Sequence, residues 1–223
     1  CISCLVGCWQ ESLMIKRHMR CSINPAVGYE RFIELEPART SYRVAVVGGG
    51  PGGMWSARRL ARDGHEVSRV GKGDRLGGTL RFASLAYAPN ERLLDWLRLQ
   101  VEQAKIEVRL NTVATPELLK SLKPDDVIVA TGALRNMPPI PGGDLSHVFS
   151  GDDMRKMMLG ESSDALQQKT SLLTRIATKA GAATGLTANL DFVRKATHAW
   201  MPLGRNVAII GGELVGLELA EFL

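Results

Sequence analysis

Residues 44–80 read VAVVGGGPGGMWSARRLARDGHEVSRVGKGDRLGGTL, and the fold turns on this stretch. Val44-Ala45-Val46-Val47 is an apolar run without polar alternation, the pattern of a strand buried on both faces of a parallel sheet. Gly48-Gly49-Gly50-Pro51-Gly52-Gly53 follows at once. Gly53, Ala57, Leu60 and Ala61 then recur at helical spacing, and Gly64 stands where a helix C-cap glycine belongs. His65-Glu66-Val67-Ser68-Arg69-Val70 is the next strand. The order is strand, glycine turn, helix, strand.

Gly48, Gly50 and Gly53 satisfy G-x-G-x-x-G in the context that gives this motif meaning. Gly48 permits the tight turn, Gly50 lets the backbone approach a pyrophosphate, and Gly53 lets the helix pack closely on the strand. The helix N-terminus adds free N–H groups and partial positive charge. A dinucleotide site is the reading that uses all of these features; a purely structural turn is the alternative. One part is absent. The acid that holds the ribose belongs at the end of the second strand, where this chain has Gly71. A charged hydrogen bond of that kind is worth about 1.5–3 kcal/mol, so the site survives its loss with weaker binding. Arg69, Lys72 and Arg75 flank these loops, either as solvated charges or as contacts to phosphate or adenine.

Further along, the apolar face Leu93, Leu94, Leu97, Val101 predicts a helix over 91–104. Ile106–Leu110 reads as a strand. Thr115 and Pro116 open a short helix to Leu122. Asp126–Ala130 is another buried strand, ending in Thr131-Gly132. Residues 152–200 carry helical signals only, with Gly181 and Gly185 expected as breaks, and Pro202-Leu203-Gly204 closes them. Val207-Ala208-Ile209-Ile210-Gly211-Gly212 then repeats the pattern of 44–49, which predicts a second nucleotide-binding unit from about Arg205. Glu213 occupies its close-approach position, where a glycine is expected.

The four cysteines, Cys1, Cys4, Cys8 and Cys21, all lie in the first 21 residues. Their C-x2-C-x3-C-x12-C spacing points to a metal centre. Three thiolates on one short loop with a distant fourth suit an iron–sulfur cluster, whereas zinc more often takes two spaced pairs. Free or disulfide-bonded thiols are the remaining alternative. The chain has 45% hydrophobic and 23% charged residues, enough to bury a core. Its net charge of +5 is scattered, unlike the basic stripe of a nucleic-acid-binding protein. No apolar run approaches the roughly 18 residues of a membrane span, and no signal peptide is visible. A reducing cytoplasm is the expected location. The four histidines have no spaced partners and read as surface or packing residues. Trp55, Trp96 and Trp200 read as core. No Ser-His-Asp or paired-carboxylate constellation is placed for catalysis.

The run Val44 to Leu80, with Asp74-Arg75-Leu76-Gly77-Gly78-Thr79-Leu80, resembles the FAD-binding half of the iron–sulfur members of the Old Yellow Enzyme (NADH:flavin oxidoreductase) family, such as 2,4-dienoyl-CoA reductase and trimethylamine dehydrogenase. Val127-Ile128-Val129-Ala130-Thr131-Gly132-Ala133 resembles their second flavin motif, and the cysteine stretch followed by Ser22-Ile23-Asn24-Pro25 resembles their cluster segment. The resemblance implies an α/β, Rossmann-like FAD/NAD(P)-binding fold of the split pyridine nucleotide-disulfide oxidoreductase type, preceded by an iron–sulfur segment. Residues 1–41 would be that segment and 42–151 the first part of the FAD (or ADP)-binding domain. Residues 152–204 would be a helical connector and 205–223 the start of an NAD(P)-binding domain. FAD would border Gly48, Gly50, Pro51, Gly52, Gly53, Gly71, Lys72, Arg75, Gly77, Gly78, Thr79, Val113, Ala130, Thr131 and Gly132. Gly211, Gly212 and Gly216 would serve NAD(P)H, and Cys1, Cys4, Cys8 and Cys21 a 4Fe–4S cluster. The partners implied are these small-molecule cofactors and an FMN-carrying N-terminal barrel of a longer chain, of which this sequence would be a fragment; neither nucleic acid nor membrane is implied. Two alternatives stay open: a reductase module like the small subunit of glutamate synthase, and a redox-silent ADP-binding domain.

Overall fold

The computed structural model describes residues 1–32, 37–133, 137–159, 164–201, 203–204 and 206–223. Two compact units divide the chain: residues 1–80 with 88–132, and residues 81–87 with 133–223. Arg205, the expected start of the second nucleotide-binding unit, and Pro202 before it lie outside the described residues.

The first unit is built on a four-stranded parallel sheet. Its strands are β1 (Arg43–Val47), β2 (Glu66–Val70), β3 (Glu107–Arg109) and β4 (Asp126–Val129), in the order β3-β2-β1-β4. The register pairs Val44 with Val67 and Asp126, and Val47 with Val70 and Val129. Helix α1 (Pro51–Arg62) makes the crossover from β1 to β2. Its Ala57 and partly buried Leu60 and Ala61 pack on Val44, Val46 and Val67, which places the apolar residues of β1 and α1 in one core. Helix α2 (Thr79–Ala86) begins here but has residues 81–86 in the second unit; α3 (Pro89–Gln103) belongs to the first, with Leu94, Leu97 and Val101 buried. Helix α4 (Pro116–Leu122) is capped as its sequence predicts: the Thr115 hydroxyl accepts from the Leu118 N–H at 3.2 Å. The start of the sheet is pinned by the Arg43 N–H, which donates to the Asp125 carboxylate at 2.7 Å.

The expected strands and helices of this unit form within a few residues of their sequence positions. Helix α2, which leaves this unit at Arg81, was not legible in the sequence, being short and set directly after two glycines. The tryptophans differ from expectation. Trp55 and Trp96 are not sealed in a core; they meet at 5.7 Å with the Arg58 guanidinium over both rings, and Trp200 is 56% exposed. An amphipathic ring can gain cation–π attraction at a helix–helix seam while keeping an edge in water. The histidines pack locally: the ring of His65 accepts from the Tyr42 N–H through Nδ1, and His18 lies against Tyr29 at 4.5 Å.

The second unit is helical, with α5 (Gly151–Leu159), α6 (Asp164–Lys169), α7 (Leu172–Ala183), α8 (Leu190–Ala199) and α9 (Leu214–Phe222). Met154, Met157, Met158, Leu166, Leu190 and Val193 form its buried side. Helix α5 opens with a reciprocal cap. The Asp153 N–H donates to the Ser150 hydroxyl at 3.1 Å, and the Ser150 N–H donates to the Asp153 carboxylate at 3.0 Å. Gly185 ends the run in the left-handed region at φ 75°, as expected. Gly181 does not break it: it lies inside α7, where the missing side chain admits the Thr187 methyl of the next turn. The strand expected over Val207–Ile210 is also not formed. The run has no ladder partner among the described residues, and Ile210 is 81% exposed. A strand is completed by the hydrogen bonds of a neighbour, which local sequence cannot supply.

Candidate functional site

The glycine turn at 48–53 connects β1 to the N-terminus of α1. Gly48 continues the ladder by donating to the Val70 carbonyl at 2.9 Å, then turns with φ 124°, a conformation that L side chains rarely adopt. A Cβ there would also run into the Ala130 carbonyl, and one on Gly53 into the Gly48 carbonyl. These two glycines are demanded by the protein's own packing. Gly50 and Gly52 are different: a Cβ on either would meet nothing within 4 Å. Gly50 is the N-cap of α1 and offers no side-chain cap, so the first N–H groups of the helix are left for another acceptor. Open space beside uncapped N–H groups is what a pyrophosphate needs.

The second loop closes on the first. The Gly77 N–H donates to the Gly49 carbonyl at 2.8 Å, and Gly78 sits so near Gly50 that a Cβ would stand 3.0 Å from its Cα. Arg98, which no sequence motif singles out, holds this loop by donating to the Leu76 carbonyl at 2.8 Å through Nη2. Burial pushes its pKa down, yet a guanidinium remains charged at neutral pH. Its only sequence signal was its place on the apolar side of α3. The Gly71 carbonyl accepts from the Thr112 N–H at 2.9 Å, which brings the segment before Val113 beside the end of β2. So Gly48 to Gly53, Gly71, Gly77, Gly78 and Ala130 converge on one rim of the first unit. Among the other expected contacts, Lys72 and Thr131 are exposed, Val113 is 66% exposed, Arg75 pairs with Asp74 at 2.7 Å, Thr79 opens α2, and Gly132 turns at φ 81°.

Gly71 leaves no carboxylate at the end of β2. The space is taken by Arg69, whose Nη2 would collide with a Cβ on either Gly49 or Gly71. The Arg69 Nε donates to the Gly48 carbonyl at 3.1 Å. A glutamate introduced at 71 would therefore meet a guanidinium before it met a ribose.

The turn at 211–216, in the second unit, copies this backbone. Gly211 has φ 121° against 124° at Gly48, and a Cβ on Gly216 would run into the Gly211 carbonyl as one on Gly53 would into Gly48. Glu213 caps α9 at φ −84°, ψ −176°, close to the −78°, −177° of Gly50. Its backbone is unstrained, but a side chain now stands at the position left open at Gly50. A carboxylate about 4 Å from a phosphate costs roughly 1–4 kcal/mol at surface dielectrics. In a chain extended to the length of its relatives, Glu213→Gly is expected to tighten NADH or NADPH at least about fivefold in a direct titration, with flavin content unchanged. Equal affinity would show that the carboxylate points away from the phosphates.

At the N-terminus, Cys8 lies in a π-helical turn, Val6–Met14. Ser3 and Leu5, on either side of Cys4, are left-handed at φ 54° and 56°. The Arg20 N–H donates to the Gly7 carbonyl at 3.2 Å and Cys4 Sγ lies 3.5 Å from Ser22 Oγ, which ties the first loop to the stretch holding Cys21. The Ser22 hydroxyl and then the Val6 backbone hold the Cys4 thiol below its ordinary pKa, favouring the thiolate that binds metal. The sulfurs of Cys1 and Cys21 accept from the N–H groups of Ser3 and Ile23 at 3.3 and 3.4 Å. Among the described residues no three Cys, His, Asp or Glu side chains are gathered as ligands of one metal ion.

Comparison with known proteins agrees with the fold. The chain is 38% identical to NADH oxidase of Thermoanaerobacter brockii over 226 aligned positions, covering all of this chain and 29% of that protein. It is 31% identical to bilirubin reductase of Mediterraneibacter gnavus, covering 100% of this chain and 28% of that protein. It thus spans less than a third of the length of these relatives. The solved structure of 2-naphthoyl-CoA reductase in complex with 2-naphthoyl-CoA superposes with a TM-score of 0.66 at 27% identity, over 81% of this chain and 28% of that one. The family model for pyridine nucleotide-disulphide oxidoreductases matches residues 42–223, from the start of the sheet through the second glycine turn. The chain belongs to the pyridine nucleotide-disulphide oxidoreductase family.

Proposed function

We propose that this chain is the electron-input module of a flavin- and iron–sulfur-dependent oxidoreductase. Its route would run from NAD(P)H, by way of FAD and a 4Fe–4S cluster, to FMN in a barrel outside this sequence that acts on an enoate, enone or amine. The observation that carries the reading is the cradle at 48–53: Gly50 and Gly52 face open space beside the uncapped N-terminus of α1. FAD, when bound, couples the two-electron chemistry of a nicotinamide to single-electron carriers. The chain's own part is to bind and orient. The α1 N–H groups would take the pyrophosphate, Gly50 and Gly52 would allow its close approach, and Gly77-Gly78, steadied by Arg98, would border the flavin.

Cys1, Cys4, Cys8 and Cys21 would supply the thiolates of the cluster, and three of them have surroundings that support this reading. The depressed Cys4 thiol and the N–H groups donating to Cys1 and Cys21 both favour thiolate ligands. A cluster held by these residues would carry electrons one at a time between the flavins. A second reading, a redox-silent ADP-binding domain, is favoured by one observation, the missing acid at Gly71.

Anaerobic reconstitution of the 223-residue chain with iron, sulfide and FAD tests the proposal. The expected product retains flavin through gel filtration and holds iron and labile sulfide in equal amounts. Stoichiometric zinc without labile sulfide would remove the cluster from the proposal. Retention of ADP with no visible flavin absorption would establish the second reading.

A further inference from the structure

Arg69 is 1% exposed, and its Nη1 is buried with no hydrogen-bond partner among the described residues. Its place follows from the strand. Side chains alternate along β2, so Arg69 shares the face of Val67, which packs against Ala57 of α1. It stands at the C-terminal end of that face, where its Nε reaches the Gly48 carbonyl at the mouth of the turn leading into α1. A buried cation therefore lies beside a helix N-terminus whose own partial charge is positive and whose cap position offers no side chain. Each is unfavourable next to the other in the absence of an anion. Burial lowers the pKa of Arg69, but a guanidinium stays protonated at neutral pH. Its Nη2 also fills the space from which a side chain at 71 would start toward the ribose. The exposed Lys72 adds a second cation immediately after Gly71.

We propose that Arg69 makes the first site recognise its nucleotide by the charge of the phosphates and not by the ribose hydroxyls. The guanidinium takes the space of the ribose-binding acid and reverses its sign. The ligand class is a nucleotide carrying a diphosphate, and a ribose lacking its 2′-hydroxyl or bearing a further phosphate there is accepted. This rests on the proposed seating of a pyrophosphate at 48–53. Arg69 acts through its charge and its hold on Gly48, as a specificity-determining and positioning residue.

The test is calorimetric titration of the 223-residue chain with ADP and with 2′-deoxy-ADP at two salt concentrations. The two nucleotides are expected to bind within about twofold of each other, where a carboxylate-held ribose would separate them by about tenfold or more. Arg69→Met, close in volume and without charge, is expected to weaken ADP about tenfold or more, and by a similar factor at both salt concentrations, because salt screens a buried charge little. The same variant is expected to melt no lower than the parent when ligand-free, since an incompletely paired buried charge has been removed. A purely structural arginine would lower the melting temperature and leave affinity unmoved. Arg69→Met combined with Gly71→Glu is expected to recover ADP binding and to gain a preference for ADP over 2′-deoxy-ADP. A tenfold preference for ADP in the parent chain, or unchanged ADP affinity in Arg69→Met, overturns the inference while leaving the cradle intact. Failure of the parent to bind either nucleotide overturns the cradle itself, and the inference with it. If Arg69→Met does not fold, the comparison of the two nucleotides on the parent chain still decides.

Discussion

Gly53→Ala is expected to abolish nucleotide binding and to destabilise the first unit, because its Cβ would be driven into the Gly48 carbonyl of the same turn. That atom is backbone, already committed to the close packing of α1 against β1, and cannot swing away as a side-chain tip can. Relief requires α1 to move off the sheet, which disturbs the core of Ala57 with Val44 and Val46. Overpacking of this kind costs about 1–3 kcal/mol and more where backbone must shift. Displacement by about 1 Å of groups that position a ligand can cost on the order of a hundredfold. Gly52→Ala is the control. Its Cβ meets no protein atom, and an alanine in a helix stabilises by about 0.5–1 kcal/mol over glycine. Gly52→Ala is therefore expected to melt slightly higher than the parent and still to bind nucleotide less well, since the open space belongs to the ligand. Thermal melts and ADP titrations on the two variants separate the roles. If Gly53→Ala binds and melts like the parent, the turn is looser than its geometry implies.

Asp153→Ala is expected to be strongly destabilising to the second unit. The Asp153 carboxylate accepts from Lys169 Nζ at 2.9 Å, and the two side chains are only 10% and 11% exposed. Removing one partner of a buried pair leaves the other charge uncompensated, at a cost of about 3–5 kcal/mol. The same change deletes half of the α5 cap. Hydrogen exchange at the amides of α5 is the measurement, and protection is expected to fall by roughly two to four orders of magnitude. The pair also predicts an acid response. Burial pushes the Asp153 pKa up, but Lys169 and the Ser150 donors outweigh it and leave the carboxyl below its usual range. A carboxyl depressed in the folded state contributes its full stability above the unfolded pKa of about 3.9 and loses it as pH falls through the folded value. Protection of α5 in the parent should therefore decline below about pH 4, and in Asp153→Asn that decline should be absent. Equal acid profiles would show that the ion pair is not what stabilises this end of the unit.

The glycine turn at 48–53 was legible in the sequence because every requirement of it is local. Val44 to Val47, Gly48, Gly53 and Ala57 lie within one strand and one helix, and the steric demand at each glycine is set by neighbours a few residues away. The repeat at 207–216 was legible for the same reason, and its backbone torsions at Gly211 and Glu213 match those at Gly48 and Gly50. The strand of that repeat did not follow from the same signal, since its hydrogen bonds need a partner and not only a propensity. The cysteine spacing supplied only an expectation of a metal centre, while the approach of Cys4 to Ser22 depends on how the first loop folds back. What only the tertiary structure decided lies between residues far apart in the chain. Arg98 reaches the Leu76 carbonyl from α3, and the Gly77 loop closes on Gly49. Arg69 was visible as a charge near a loop, with solvent as an equal candidate for its surroundings. The parallel register of β1 with β2 places it beneath Gly48 and Gly49, and the glycine at 71 leaves room for it. Period and spacing encode which face a residue occupies, but burial of a charge, and therefore its energy, is set by which strands and turns come to lie against that face.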